Sequence, residues 1–142
     1  MNTIRPDLSS RRHYLTLLDV KLGTILDLKS KGQSTRYLII GMSLTEYALL
    51  SVYCDSESAS FFTSHPQIPS YTLQLTIRKT AVQAYADCSK IIVCRFGTIR
   101  DVVKEDPRCR VDQLSEAETD KLVQYVKSSP TIAQAMKNQY FI

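Results

Sequence analysis

Apolar and polar residues alternate through most of the first hundred positions, and the spacing then lengthens to the three-and-four pattern of helices. From Tyr14 to Leu28, the residues Leu15, Leu17, Val20, Leu22, Ile25, Leu26 and Leu28 predict extended chain broken at Gly23, with Gly23-Thr-Ile-Leu-Asp-Leu28 opening a first barrel strand. The polar stretch Lys29-Ser-Lys-Gly-Gln-Ser-Thr-Arg36 predicts a mobile loop joining strands, and it is the most basic loop in the chain. Tyr37-Leu-Ile-Ile-Gly-Met42 and Tyr47-Ala-Leu-Leu-Ser-Val-Tyr-Cys54 predict a hairpin turning at Ser43-Leu-Thr-Glu46. Residues 55–70, rich in serine and holding His65-Pro66 and Pro69, predict an exposed loop interrupted by Phe61-Phe62. Tyr71, Leu73, Leu75 and Ile77 fall on one face of the next strand. Arg78-Lys79 reads as a hairpin turn or as a phosphate contact, and Ala81 to Val93 supplies the last strands. Within this region Tyr85 to Arg95 reads as a half-buried strand feeding straight into a wholly helical C-terminal third.

That third opens with two capping-box patterns, Thr98-Ile-Arg-Asp101 and Ser115-Glu-Ala-Glu118, each predicting the start of a helix. Leu114, Leu122, Tyr125 and Val126 share one side of the second helix, which should therefore lie on the barrel. Ser129-Pro130 predicts an N-cap and first-turn proline for a third helix over Thr131 to Gln139. Strands first and helices last define an α+β fold, a small β-barrel followed by C-terminal helices. The 142 residues fit one domain, with a polar arm at 1–13 and a single barrel-plus-helices unit over 14–142.

Apolar residues make up 44% of the chain and charged ones 23%, and the apolar runs are strand-sized, so no membrane-spanning segment is expected. The first thirteen residues lack the apolar stretch of a secretory signal, which predicts a cytoplasmic protein. Cys54, Cys88, Cys94 and Cys109 form no C-x-x-C and have no histidine at ligand spacing; they read as free thiols, with Cys88 and Cys94 on one face of one strand. The formal charge of +4 is unevenly placed: residues 1–100 carry 12 Lys and Arg against 7 Asp and Glu, and the remainder 6 against 7. The strand-rich part is thus the part that attracts a polyanion.

No strong catalytic motif is present. His13 and His65 lie in polar segments, the four glycines are dispersed, and carboxylates form no cluster for a metal, so metal and cofactor chemistry are not expected. What these residues allow is cleavage of RNA by its own 2′-hydroxyl, helped by cations around the phosphate and by a positioned proton carrier. Arg36, with Lys29 and Lys31 beside it, stands where the basic loop meets a strand and is the candidate for the phosphate. Asp55 and Ser56, or Ser34 and Thr35, are the candidates for the hydroxyl and the leaving oxygen. A solvated loop at Arg36, an Asx turn at Asp55-Ser56 and a plain turn at Arg78 account for the same residues without chemistry.

Taken in order, Val20-Lys-Leu-Gly-Thr-Ile-Leu-Asp27, Arg36-Tyr-Leu-Ile-Ile-Gly-Met-Ser43, the strand ending Cys54-Asp-Ser56, and Asp87-Cys-Ser-Lys-Ile-Ile-Val93 before terminal helices, the chain resembles the PemK/MazF-like toxin family over roughly residues 18–130. The resemblance implies an SH3-like barrel, a homodimer, metal-independent cleavage of single-stranded RNA, and neutralisation by a cognate antitoxin. Arg36 matches the family's loop arginine and Ser56 its hydroxyl after the third strand; Lys29, Lys31 and Arg78 would hold RNA. Gly23-Thr24, Tyr37 and Asp55-Ser56 depart from the family's Gly-Asp, proline and Thr-Ser at those positions. The rival expectation is a non-catalytic phage or plasmid protein that binds and inhibits a host protein.

Overall fold

A computed structural model describes residues 20–30 and 33–141, so the expectations for the arm at 1–13, for the extended residues before Val20 and for Lys31 lie outside the described residues. Among the described residues there are seven strands: β1 (Thr24–Ser30), β2 (Gln33–Met42), β3 (Glu46–Tyr53), β4 (Ser70–Ile77), β5 (Thr80–Asp87), β6 (Ile92–Arg95) and β7 (Arg110–Gln113). The helices of these residues are α1 (Ser56–Ser64), α2 (Phe96–Glu105), α3 (Glu116–Lys127) and α4 (Gln134–Tyr140), with a 3₁₀ turn at Pro107–Cys109. The strands run β4-β5-β3-β2-β1-β7 in space, each pair antiparallel, and β6 pairs with the first half of β3. The sheet curls until its two edge strands meet, where the Thr76 amide donates to Asp112 Oδ2 at 2.8 Å. This is the expected α+β architecture, a curled antiparallel half-barrel with helices.

Strand alternation sends side chains to two cores, one on each face of the sheet. Ile25, Leu38, Leu50 and Leu75 pack with Leu122 and Val126 of α3 and with Tyr140 and Phe141 at the chain's end. Leu26, Ile39 and Leu49 face the other way, onto Ile99 and Val103 of α2. β3 carries buried apolar residues on both faces because it is central. Among the described residues no helix is long and apolar enough to cross a membrane.

Several expectations are corrected. The basic loop is a tight hairpin: β1 and β2 pair up to Ser30 and Gln33, leaving only residues 31–32 between them. Residues 56–64 are helical, because Asp55 caps the helix by accepting from the Ser58 amide at 2.7 Å and Phe62 is anchored against Tyr53 and Tyr85. The stretch from Tyr85 to Arg95 is two strands separated by a turn, so Cys88 and Cys94 belong to opposite cores. The C-terminal third is not wholly helical, since β7 completes the sheet. Helix α2 starts at Phe96 with Arg95 as its N-cap, which puts Thr98 inside the helix. Ser115 is the N-cap expected of it. Ser129 instead donates to the Cys88 carbonyl from a buried position, and α4 starts later, after Ala133.

The β4–β5 turn is the expected one, and it is strained. Arg78 and Lys79 have φ of 52° and 66°, a two-residue hairpin turn with both central residues left-handed, a place usually given to Asn-Gly. Arg78→Asn/Lys79→Gly should raise the stability by about 1 kcal/mol, read as a higher urea midpoint with unchanged slope. An unchanged midpoint would show that the turn carries no backbone strain.

Candidate functional site

Asp27 and Arg36 stand equally far from the β1–β2 turn and are therefore cross-strand partners, with Val52 of β3 opposite Arg36 on its other side. They continue the row that starts with Ile25, Leu38 and Leu50, so a carboxylate and a guanidinium extend the larger core toward the open end of the sheet. Arg36 Nη2 lies 3.5 Å from Asp27 Oδ2, and the Asp27 side chain is only 8% exposed against 27% for Arg36. Asp27 Oδ1 and Arg36 Nε are buried and have no hydrogen-bond partner among the described residues.

Two cavities flank this pair. One, of about 420 Å³, is lined by Thr35, Arg36, Val52, Tyr53, Cys54 and Asp55. The other, of about 470 Å³, contains Asp27 together with Arg78, Arg108 and Arg110. Burial pushes the Cys54 thiol up, a shift that the neighbouring Arg36 opposes, so the thiol stays protonated at neutral pH. The Ser58 amide holds the exposed Asp55 carboxyl below its ordinary value, which keeps it ionised as a helix cap and poorly suited to donating a proton.

The structure brings Arg36, Thr35 and Asp55 to one cavity and Arg78 to the other. Ser56 is exposed at the first position of α1 and does not line either cavity. Lys29 lies on β1 with its side chain, like that of Ser34, outside the described residues. His65 ends α1, its Nδ1 2.8 Å from the Phe61 carbonyl and its ring stacked on Phe61.

Asp27, Arg108 and Arg110 are the residues that sequence reasoning missed. Asp27 was legible only through register: with Ser30 paired to Gln33, it must face Arg36. Aromatic rings border the site as well. Tyr53 lines the Arg36 cavity and pairs across the sheet with Tyr85, and Phe62 packs between the two rings at 5.8 and 6.0 Å. Comparison with protein-family models, with curated proteins and with solved structures matches nothing to this chain.

Proposed function

We propose that this chain is a metal-independent endoribonuclease that cleaves single-stranded RNA, a toxin of the PemK/MazF-like kind with an SH3-like barrel, active in the cytoplasm as a homodimer and held in check by an antitoxin. The observation that carries this reading is the convergence of an arginine with spare donor capacity and a tyrosine on one cavity, beside a second cavity with three further arginines. A guanidinium fork matches phosphate oxygens and stabilises the charge that grows on them, and a ring beside it offers a base a surface to stack on. In this reading Arg36 holds the reacting phosphate and Arg78 a neighbouring one. Asp55 orients the start of α1, where the Ser56 hydroxyl faces solvent and serves the leaving oxygen through a water.

Cleavage of a long unstructured RNA in EDTA tests it. Wild type should cut, and Arg36→Lys, which keeps a cation for Asp27 but loses the fork, should cut at least about tenfold more slowly with little change in unfolding midpoint. No cleavage by folded wild type would remove the enzyme reading.

A second reading, a non-catalytic protein that binds and inhibits a host protein, has one observation in its favour. A groove of about 930 Å³, lined by apolar and polar side chains alike, runs between the β2–β3 turn and helices α3 and α4, and Leu44 at its rim is 96% exposed. A surface of that kind serves a protein partner better than RNA.

A further inference from the structure

We infer that Asp27 accepts the ribose 2′-hydroxyl of bound RNA and takes its proton as that oxygen attacks the adjacent phosphate, a role that rests on the ribonuclease reading proposed above. The pair with Arg36 is joined at one point, Nη2 to Oδ2 at 3.5 Å, where an arginine and a carboxylate ordinarily share two parallel bonds. What is left over is an acceptor, Asp27 Oδ1, and a donor, Arg36 Nε, both buried and both without a partner among the described residues. A ligand that satisfies them offers a hydroxyl to the carboxylate and an anionic oxygen to the guanidinium. The ribose-phosphate linkage of RNA carries those two groups side by side, and DNA lacks the hydroxyl.

The other carboxylates near the cavities each have one oxygen bonded and stand open to water, which serves the second. Asp106, in the cavity that Asp27 lines, caps the 3₁₀ turn through the Arg108 amide and is 3.4 Å from Arg108 Nε. Asp55 is bound to the Ser58 amide. Asp27 is thus the buried carboxylate with an open acceptor, and Arg36 on one side and Arg78, Arg108 and Arg110 on the other supply positive charge for the phosphates of a strand crossing between the cavities.

The step balances within the substrate, Asp27 and one water. Asp27 Oδ1 takes the 2′-hydroxyl proton, the 2′-oxygen bonds to phosphorus, and the bond from phosphorus to the 5′-oxygen breaks. The departing 5′-oxygen takes a proton from water, and the resulting hydroxide recovers the proton held by Asp27. The products are a 2′,3′-cyclic phosphate and a 5′-hydroxyl.

Two measurements on wild type, Asp27→Asn and Asp27→Glu test the role: calorimetric binding of the four ribonucleoside 3′-monophosphates and their 2′-deoxy counterparts, and cleavage of unstructured RNA in EDTA. Wild type should bind at least one ribo form about tenfold more tightly than its deoxy form, and Asp27→Asn should bring that ratio close to one. Cleavage should fall by roughly 10²–10⁴ in Asp27→Asn. Asp27→Glu keeps a charge for Arg36 and displaces the carboxylate, so it reports the same loss should the amide variant fail to fold. Equal binding of ribo and deoxy forms by wild type, or cleavage by either variant at the wild-type rate, overturns the inference. A ribo preference that vanishes in Asp27→Asn, in a wild type that cuts nothing, would remove the nuclease reading and the proton transfer while leaving the hydroxyl contact standing.

Discussion

Arg36→Met should destabilise the fold by about 3–5 kcal/mol, and adding Asp27→Leu should return the stability to the wild-type value or above it. The asymmetry follows from burial. Removing the arginine alone takes its paired cation from a carboxylate that is almost wholly out of water, at the end of a core built from Ile25, Leu38 and Leu50. Removing both charges costs only their one contact, and it also abolishes two buried atoms that already lack partners. Each such atom carries a desolvation cost of about 1–3 kcal/mol. Urea unfolding of the two single variants and the double variant gives the coupling directly. A double variant less stable than either single would mean that the pair is held by water or by contacts that its geometry does not reveal. A double variant more stable than wild type would mean that the charges are retained for a reason other than stability. For the same reason Arg36→Lys is the cleaner activity variant, since it leaves Asp27 a cation.

The second large effect is expected at Gly23. Its φ of +92° belongs to the left-handed region, and a Cβ there would lie 2.5 Å from Thr119 Oγ1 and 3.0 Å from Gln113 Nε2. The residue is also pinned by its backbone, its amide donating to the Ile39 carbonyl at 2.7 Å and its carbonyl accepting from the Leu114 amide at 2.9 Å. Gly23→Ala should therefore cost about 3 kcal/mol, of which about 1–2 comes from the backbone and the rest from overlap with α3. Gly23→Ala/Thr119→Ala separates the two parts, because it clears the nearest atom and leaves the backbone cost in place. Thermal unfolding should show the double variant partly recovered relative to Gly23→Ala; no recovery would place the whole cost in the backbone.

What could be read from the chain follows from where its signals are local. The β4–β5 hairpin shows because Leu73, Leu75 and Ile77 alternate strictly with exposed residues, and α3 shows because Ser115 caps it and Leu122 and Val126 repeat at helical spacing. Helix α1 was hidden because it lies on the surface and buries only Phe62, so serines and a His-Pro pair outweighed a capping aspartate. β7 was hidden because Arg-Val-Asp-Gln is short and charged, and its pairing to β1 comes from a distant part of the chain. At the site, Arg36 was legible as a basic residue beginning an apolar run. Its partner was not, because a charged residue in a strand is read as facing water unless the register places it inward. Ser56 reads in the sequence as a hydroxyl after a strand, and it opens a helix instead.

The pairing of β1 with both a near and a far neighbour has a consequence for biosynthesis. β2 forms against β1 through a two-residue connection, so that hairpin can close early, whereas β7 lies far downstream. At a translation rate of about 5–20 residues per second, the outer edge of β1 stays open on the ribosome for several seconds before Arg110–Gln113 emerge to cover it. Over that interval the nascent chain carries a bare strand edge next to half-formed cores, the condition in which neighbouring copies pair wrongly. Synonymous codons or chaperone supply that alter the timing between β1 and β7 should therefore change the yield of soluble protein more than those acting within the β4–β5 hairpin.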